Sequence, residues 1–151
     1  MPVEIITKDL GWKKIEKTFK GAGVSLTVGI HGSAGSQEVL IGTVHEFGSP
    51  ERGIPERSFM RSTFNTKREE LYEQMEKAIA DGFRGVRLDR SLGRIGLGMV
   101  AAIQATIRNR ETVGPEPQAN KPATIARKGS DTPLIDTGRL IASITSVVST
   151  K

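Results

Sequence analysis

The chain has 151 residues, which is enough for one domain with a hydrophobic core and too few for two comfortable ones. It contains no cysteine, which excludes disulfides, thiol catalysis and cysteine-ligated zinc. Hydrophobic residues make up 36% and charged residues 26%, as in an ordinary soluble domain, and the net charge of +5 permits contact with nucleic acid or an acidic partner without requiring either.

The N-terminal third is predicted to contain a short helix and three strands. Val3 to Ile6 has the composition of a short strand, and Asp9 is suited to cap a helix bearing Trp12. Val24 to Ile30 alternates apolar and polar residues, which predicts a strand. Val39 to Phe47 is predicted as a second strand, and the Gly- and Ser-rich segment between these two predicts an antiparallel hairpin.

Two long amphipathic helices are predicted next, at about 58–80 and 88–110. Apolar residues recur at helical spacing in both. The first stripe comprises Met60, Phe64, Leu71, Met75 and Ile79, and the second comprises Leu88, Leu92, Ile95, Met99, Ile103 and Ile107.

The remaining residues predict a long loop and a final strand. Residues 112–133 contain four prolines and little periodicity, which is typical of a functional loop or arm. Asp136 is suited to cap a short helical turn, and the end of the chain predicts a strand. The sequence therefore predicts a single α+β domain over 1–151, in which a small, mostly antiparallel sheet (the hairpin at about 24–47 plus the C-terminal strand) packs against the two helices. No targeting segment or membrane span is expected.

The triplet Asp136-Thr137-Gly138 matches the active-site turn of a retroviral-type aspartic protease. Such a protease needs most of its fold after this triplet, whereas only thirteen residues follow Gly138. Arg139 also stands where that turn normally has a small residue. A helix cap, with Gly138 allowing close approach, is the better interpretation.

Other motifs for metal, phosphate or nucleic-acid chemistry are weak. His31 and His45 would face each other across the hairpin near Glu38 or Glu46, but no spacing typical of zinc ligands is present. The glycines of Gly93 to Gly98 lie inside a helical pattern, which favours close packing over phosphate binding. No nucleophile context is recognisable, so we expect no enzyme activity, no cofactor and no metal.

Four arginines cluster around the start of the second long helix. They are Arg84, Arg87, Arg90 and Arg94, of which the last three follow helical spacing. They predict a solvated face or subunit contact, or alternatively a phosphate contact without stacking aromatic residues.

Two longer segments resemble a known family. Val44 to Phe64 contains His45-Glu46-Phe47-Gly48 and then Ile54-Pro55, Arg57, Phe59-Met60-Arg61. Lys121 to Thr145 contains a Pro-Ala-Thr-Ile loop followed by Leu134-Ile135-Asp136-Thr137-Gly138 and Leu140. In this order and separation they are similar to the signature blocks of phage tail-completion and neck proteins, although Glu56-Arg57-Ser58 departs from the common Ala-Arg-Pro.

This resemblance implies a structural virion protein of the tail or neck, assembled in the host cytoplasm. Family members form rings, commonly hexameric, at the head-proximal end of the tail, where they contact the tube protein and the head connector. The implied alternatives are a connector ring on the portal side and, from a different class, a basic DNA-binding module. No membrane or small-molecule partner is expected.

The resemblance also implies which residues form the interface with other subunits or partners. They are His45, Glu46, Phe47, Gly48, Ile54, Pro55, Arg57, Phe59, Arg61, Leu134, Asp136, Thr137, Gly138 and Leu140. Candidate contacts to DNA passing through the lumen are Arg87, Arg90 and Arg94. Arg57 and Arg61 are expected on one helical face, paired either across a subunit boundary or within the chain.

Overall fold

A computed structural model describes residues 11–19, 23–112, 119–129 and 131–150. The predicted strand at Val3 to Ile6 and the predicted cap at Asp9 lie outside these residues. The helices and strands, in chain order, are α1 (Trp12–Phe19), β1 (Val24–Ile30), α2 (Ser36–Phe47), α3 (Met60–Thr66), α4 (Arg68–Phe83), α5 (Leu88–Arg108), α6 (Pro122–Lys128), α7 (Arg139–Ala142) and β2 (Ile144–Thr150). The α+β class predicted from the sequence is confirmed.

Among the described residues the sheet consists of β1 and β2, which pair in antiparallel orientation although they lie near opposite ends of the sequence. Val24 lies opposite Thr150 and Ile30 lies opposite Ile144. Helix α5 packs across one face of this sheet. Gly96 permits the close approach, because a Cβ there would lie 2.8 Å from both Leu26 and Ser146.

The core lies between α5, the sheet and the segments that follow α2 and α6. Its main cluster of buried residues is Phe59, Ile103, Ile107, Leu134, Leu140 and Ile144. A second cluster, Ala78, Leu92 and Ile95, joins α4 to α5. The predicted apolar stripe of α5 is confirmed, since all its members are buried or half-buried.

The predicted hairpin is wrong, because Ser36–Phe47 forms the helix α2 and β1 pairs with β2. The inward face of α2 consists of Glu38, Gly42 and Glu46, which recur every four residues. Its large apolar residues instead point outward, with Leu40 58% and Phe47 61% exposed. The apolar residues therefore do not mark the buried face, and a method based on hydrophobic periodicity predicts the wrong element.

The first long helix is also divided, into α3 and α4, by Lys67. Leu71 and Met75 face inward as predicted, whereas Phe64 and Ile79 are 43% and 47% exposed. The predicted loop at 112–133 contains the helix α6, which begins with Pro122 and ends at Gly129 in a left-handed conformation. In the part of the chain described, no helix is both long and apolar enough to cross a bilayer.

Candidate functional site

The carboxylate of Glu46 fixes the end of α2 to the start of α3. It accepts hydrogen bonds from the backbone amides of Phe59, Met60 and Arg61, each at 2.9 Å, and from the Ser58 hydroxyl at 2.8 Å. These amides are the donors that the first turn of a helix leaves without intrahelical acceptors. Glu46 therefore caps α3 from a distant position in the chain, and it does so while only 5% exposed.

Burial by itself would raise the pKa of Glu46. The hydrogen bonds from the Arg61 and Met60 amides, the Ser58 hydroxyl and the Phe59 amide outweigh that effect and hold the pKa below its ordinary value. The carboxylate is therefore ionised at neutral pH and serves as a structural acceptor.

Arg61 completes this junction. Its Nε donates to the Glu46 carboxylate at 3.1 Å, and its Nη2 donates to the Glu46 carbonyl at 2.8 Å and to Glu56 at 2.7 Å. The guanidinium also lies 4.8 Å from the centre of the Phe47 ring. Of the two predicted alternatives for Arg61, pairing within the chain is therefore the one that the structure has.

The loop between α2 and α3 is held at several points. Gly48 has φ of 74°, and a Cβ there would lie 2.9 Å from the Glu56 amide nitrogen. The backbones of Ser49 and Ile54 pair with each other, and the Arg57 amide donates to the His45 carbonyl at 2.8 Å. Because Arg57 lies in this loop and Arg61 lies in α3, the prediction that they share a helical face is wrong.

A cleft of about 590 Å³ opens between α2, the 53–57 loop, α6 and the turn before α7. It brings the two family-like segments together, although they are far apart in the sequence. The predicted residues that line it are His45, Ile54, Pro55, Arg57, Leu134, Asp136, Thr137, Gly138 and Leu140.

The cleft carries an excess of positive charge, and we call it the basic cleft. Its lining includes five cationic side chains, Arg57, Lys121, Arg127, Lys128 and Arg139, and two carboxylates, Glu38 and Asp136. Arg139 forms an ion pair with the buried Glu38, which ties α7 to α2. The carboxylates of the cleft are thus fewer than its cations.

The excess of positive charge contributes to lowering the pKa of two basic residues in the cleft, His45 and Lys128. Burial lowers the pKa of His45, and the positive charges of Arg57 and Lys128 lower it further. Burial also lowers the pKa of Lys128, where Asp136 acts in the opposite direction and Arg57 and Arg127 add to the lowering. His45 is therefore neutral at pH 7, and its buried Nδ1 has no hydrogen-bond partner among the described residues.

The remaining predicted interface residues lie behind or beside the cleft. Phe59 is fully buried and Glu46 nearly so, so neither presents a side chain to a partner. Phe47 is exposed on α2, and Gly48 shapes the loop. The N-cap position of α7 is Gly138, in a left-handed conformation, so the predicted cap at Asp136 is wrong. A Cβ at Gly138 would meet nothing within 4 Å, so this glycine supplies a backbone angle and not close approach.

The other candidate residues do not join the cleft. His31 bonds to Thr27 and Thr145 on the sheet, so it does not face His45. Arg87 precedes α5 and pairs with Asp89, which removes it from the helical face of Arg90 and Arg94. Over the described ranges no group of three or more histidines and carboxylates is placed to hold a metal ion.

The interface predicted from the sequence does not include five charged residues of the cleft, Glu38, Lys121, Arg127, Lys128 and Arg139. The two family-like segments include all of these except Glu38. Residues 121–128 include three basic residues, but no local sequence pattern predicts that this segment lies opposite α2.

No protein-family model matches the chain, and searches of curated proteins and of solved structures find no significant match. The function is therefore inferred from the geometry of this chain and from the resemblance of its two segments.

Proposed function

We propose that this chain is a structural subunit of a phage tail-completion, or tail-terminator, ring at the head-proximal end of the tail. The observation that carries the proposal is the meeting of the two family-like segments at the basic cleft. Nine residues chosen from the sequence as interface positions line that one surface.

The contacts also give a physical reason for the first segment. Its Glu46 and Arg61 connect two helices, and its Gly48 permits the loop that forms one wall of the cleft. These residues build and hold a surface. This supports a role in assembly, in which shape and charge matter and no chemical step is needed.

The outer face of α2 supports the same role. Leu40 and Phe47 lie two turns apart on this helix and are 58% and 61% exposed. Large apolar side chains that share one helical face are typical of a surface buried in an assembly. Ile41, on the neighbouring face, lines the cleft.

The proposed mechanism is steric. A head-to-tail contact whose rotation divides the circle closes into a ring. Such a ring ends tube growth by covering the face to which the next tube subunit would add, and its opposite face remains available to the head connector. A connector ring on the portal side would use the same principle with a different stoichiometry.

Native mass spectrometry over a concentration series, with negative-stain images of the largest species, tests the proposal. We expect a closed ring of about six subunits that binds purified tail tube protein, whereas about twelve subunits without tube binding would favour the connector. A chain that neither forms a ring, alone or with tube protein, nor binds tube protein would contradict both. DNA binding that weakens steeply with salt would then favour the basic DNA-binding module.

A further inference from the structure

A second charged surface lies on α4, away from the elements that build the basic cleft. Glu69, Glu73 and Glu76 are all exposed, and their spacing of four and three residues aligns them along one helical face. We call these three residues the acidic stripe. The stripe extends about 10 Å along the helix axis.

The glutamates of the acidic stripe differ in ion pairing from the glutamate beside them. None of its glutamates forms an ion pair within the described ranges, whereas the neighbouring Glu70 is held by Lys67 at 2.9 Å. Tyr72 and Ile79, which are 55% and 47% exposed, lie along one flank of the stripe. The outer face of α4 thus combines negative charge with exposed apolar surface.

The basic cleft has the complementary combination. Its excess cations are accompanied by the apolar side chains of Ile41 and Ile54. Helix α4 packs on α5, α1 and α3, whereas the cleft is formed by α2, α6, α7 and two loops. No ion pair joins the stripe to the cleft within one chain, as far as the described residues extend.

We propose that the acidic stripe of one copy docks against the basic cleft of a second copy. This inference rests on the proposed ring function and names the two faces of its subunit contact. Because the two faces differ, the contact is heterologous, and repetition closes a ring when the rotation between copies divides the circle. Complementary charge selects this pairing and opposes stripe-to-stripe contact.

A second copy fits the cleft better than a nucleic acid does. The apolar lining matches Tyr72 and Ile79, whereas a duplex backbone offers no apolar surface to it.

Two charge-reversal variants test the pairing. The stripe variant carries Glu69→Lys, Glu73→Lys and Glu76→Lys, and the cleft variant carries Lys121→Glu and Arg127→Glu. All five positions are exposed, so both variants are expected to fold. By sedimentation equilibrium, each variant alone should self-associate about 100-fold more weakly than the wild type.

A mixture of the two variants provides the sharper result. The stripe variant retains an intact cleft and the cleft variant retains an intact stripe, so these two surfaces can still pair. The reversed stripe is in turn complementary to the reversed cleft, so the mixture should regain assembly with the two variants alternating. Arg108→Glu, at an exposed position on α5 outside both surfaces, is the control for reversing a surface charge and should leave assembly unchanged.

Three results would overturn the pairing: variants that assemble like the wild type, a mixture that associates no better than each variant alone, or a wild type that stays monomeric at every attainable concentration. Binding of a DNA duplex through Lys121 and Arg127 in place of self-association would also overturn it. If both variants still form rings and bind tube protein, the pairing fails and the proposed function stands. If the wild type forms no ring even with tube protein and does not bind it, the proposed function itself fails.

Discussion

At the scale of single residues, Glu46 is the side chain on which the junction of α2 and α3 depends. Replacing it with Gln retains its size but removes the charge and sets an NH2 group against backbone donors. We expect Glu46→Gln to lower the free energy of unfolding by about 2–3 kcal/mol, because several hydrogen bonds to a buried charged acceptor are weakened together. Urea titration measures the change. Glu56→Gln, at the exposed end of the Arg61 contact, should cost less than about 1 kcal/mol.

The same carboxylate predicts a pH dependence. The pKa of Glu46 in the folded chain lies below its ordinary value of 4.5, so the unfolded chain binds the proton first as pH falls. The stabilisation that the ionised Glu46 provides is therefore complete above pH 4.5, the ordinary pKa, and is lost as pH decreases through the lower pKa of the folded chain. The stability difference between wild type and Glu46→Gln should shrink on acidification, and a difference that stayed constant down to strongly acidic pH would contradict this account.

Gly48 and Gly53 lie in the same loop and allow a comparison of two glycine-to-alanine variants. Both have positive φ, 74° and 61°, but only at Gly48 would a Cβ meet backbone, at 2.9 Å from the Glu56 nitrogen. Gly53→Ala should cost about 1 kcal/mol for the left-handed conformation alone. Gly48→Ala adds a collision with backbone and should cost about 2–4 kcal/mol. Equal losses in thermal or urea unfolding would show that close approach is unimportant there.

At the scale of secondary-structure elements, sequence patterns predict those whose buried face is apolar. Helix α5 and strand β1 are of this kind, and both have the predicted bounds within a few residues. Helix α2 is the opposite case, because Glu38 and Glu46 are buried on it through contacts to Arg139 and to the α3 amides. Those partners are distant in the sequence, so no local pattern reveals them.

The outward apolar face of α2 leads to a prediction about assembly. Leu40 is 58% exposed, so Leu40→Ser should change the free energy of unfolding by less than about 0.5 kcal/mol. If this face is buried between subunits, the same change should weaken assembly about 10-fold. Leu97→Ser on α5, at a residue 66% exposed, is the control for removing a surface leucine. Assembly that is equally sensitive to both changes would argue against a specific role for α2.

At the scale of the whole molecule, the candidate site could be predicted only in part. The residues of the two segments were identifiable from the sequence, and the structure places most of them at one cleft. Their grouping depends on α6 and α7 lying against α2, which is a tertiary contact. The basic character of the cleft depends equally on this packing, since Lys121 and Arg127 lie in a segment predicted as a loop.

The pairing of β1 with β2 makes the fold depend on the last strand. Ile144 is 2% exposed in the main core cluster, and β2 is the strand partner of β1 and a surface on which α5 packs. A chain that stops after Ser143 would leave β1 unpaired and expose apolar residues of α5. We expect it to lose cooperative unfolding and near-ultraviolet circular dichroism while keeping helical signal from α4 and α5. A chain that stops after Thr150 retains every residue of β2 and should unfold like the full chain. A sharp urea transition with an unchanged midpoint in the shorter chain would mean that helix packing alone sustains the core.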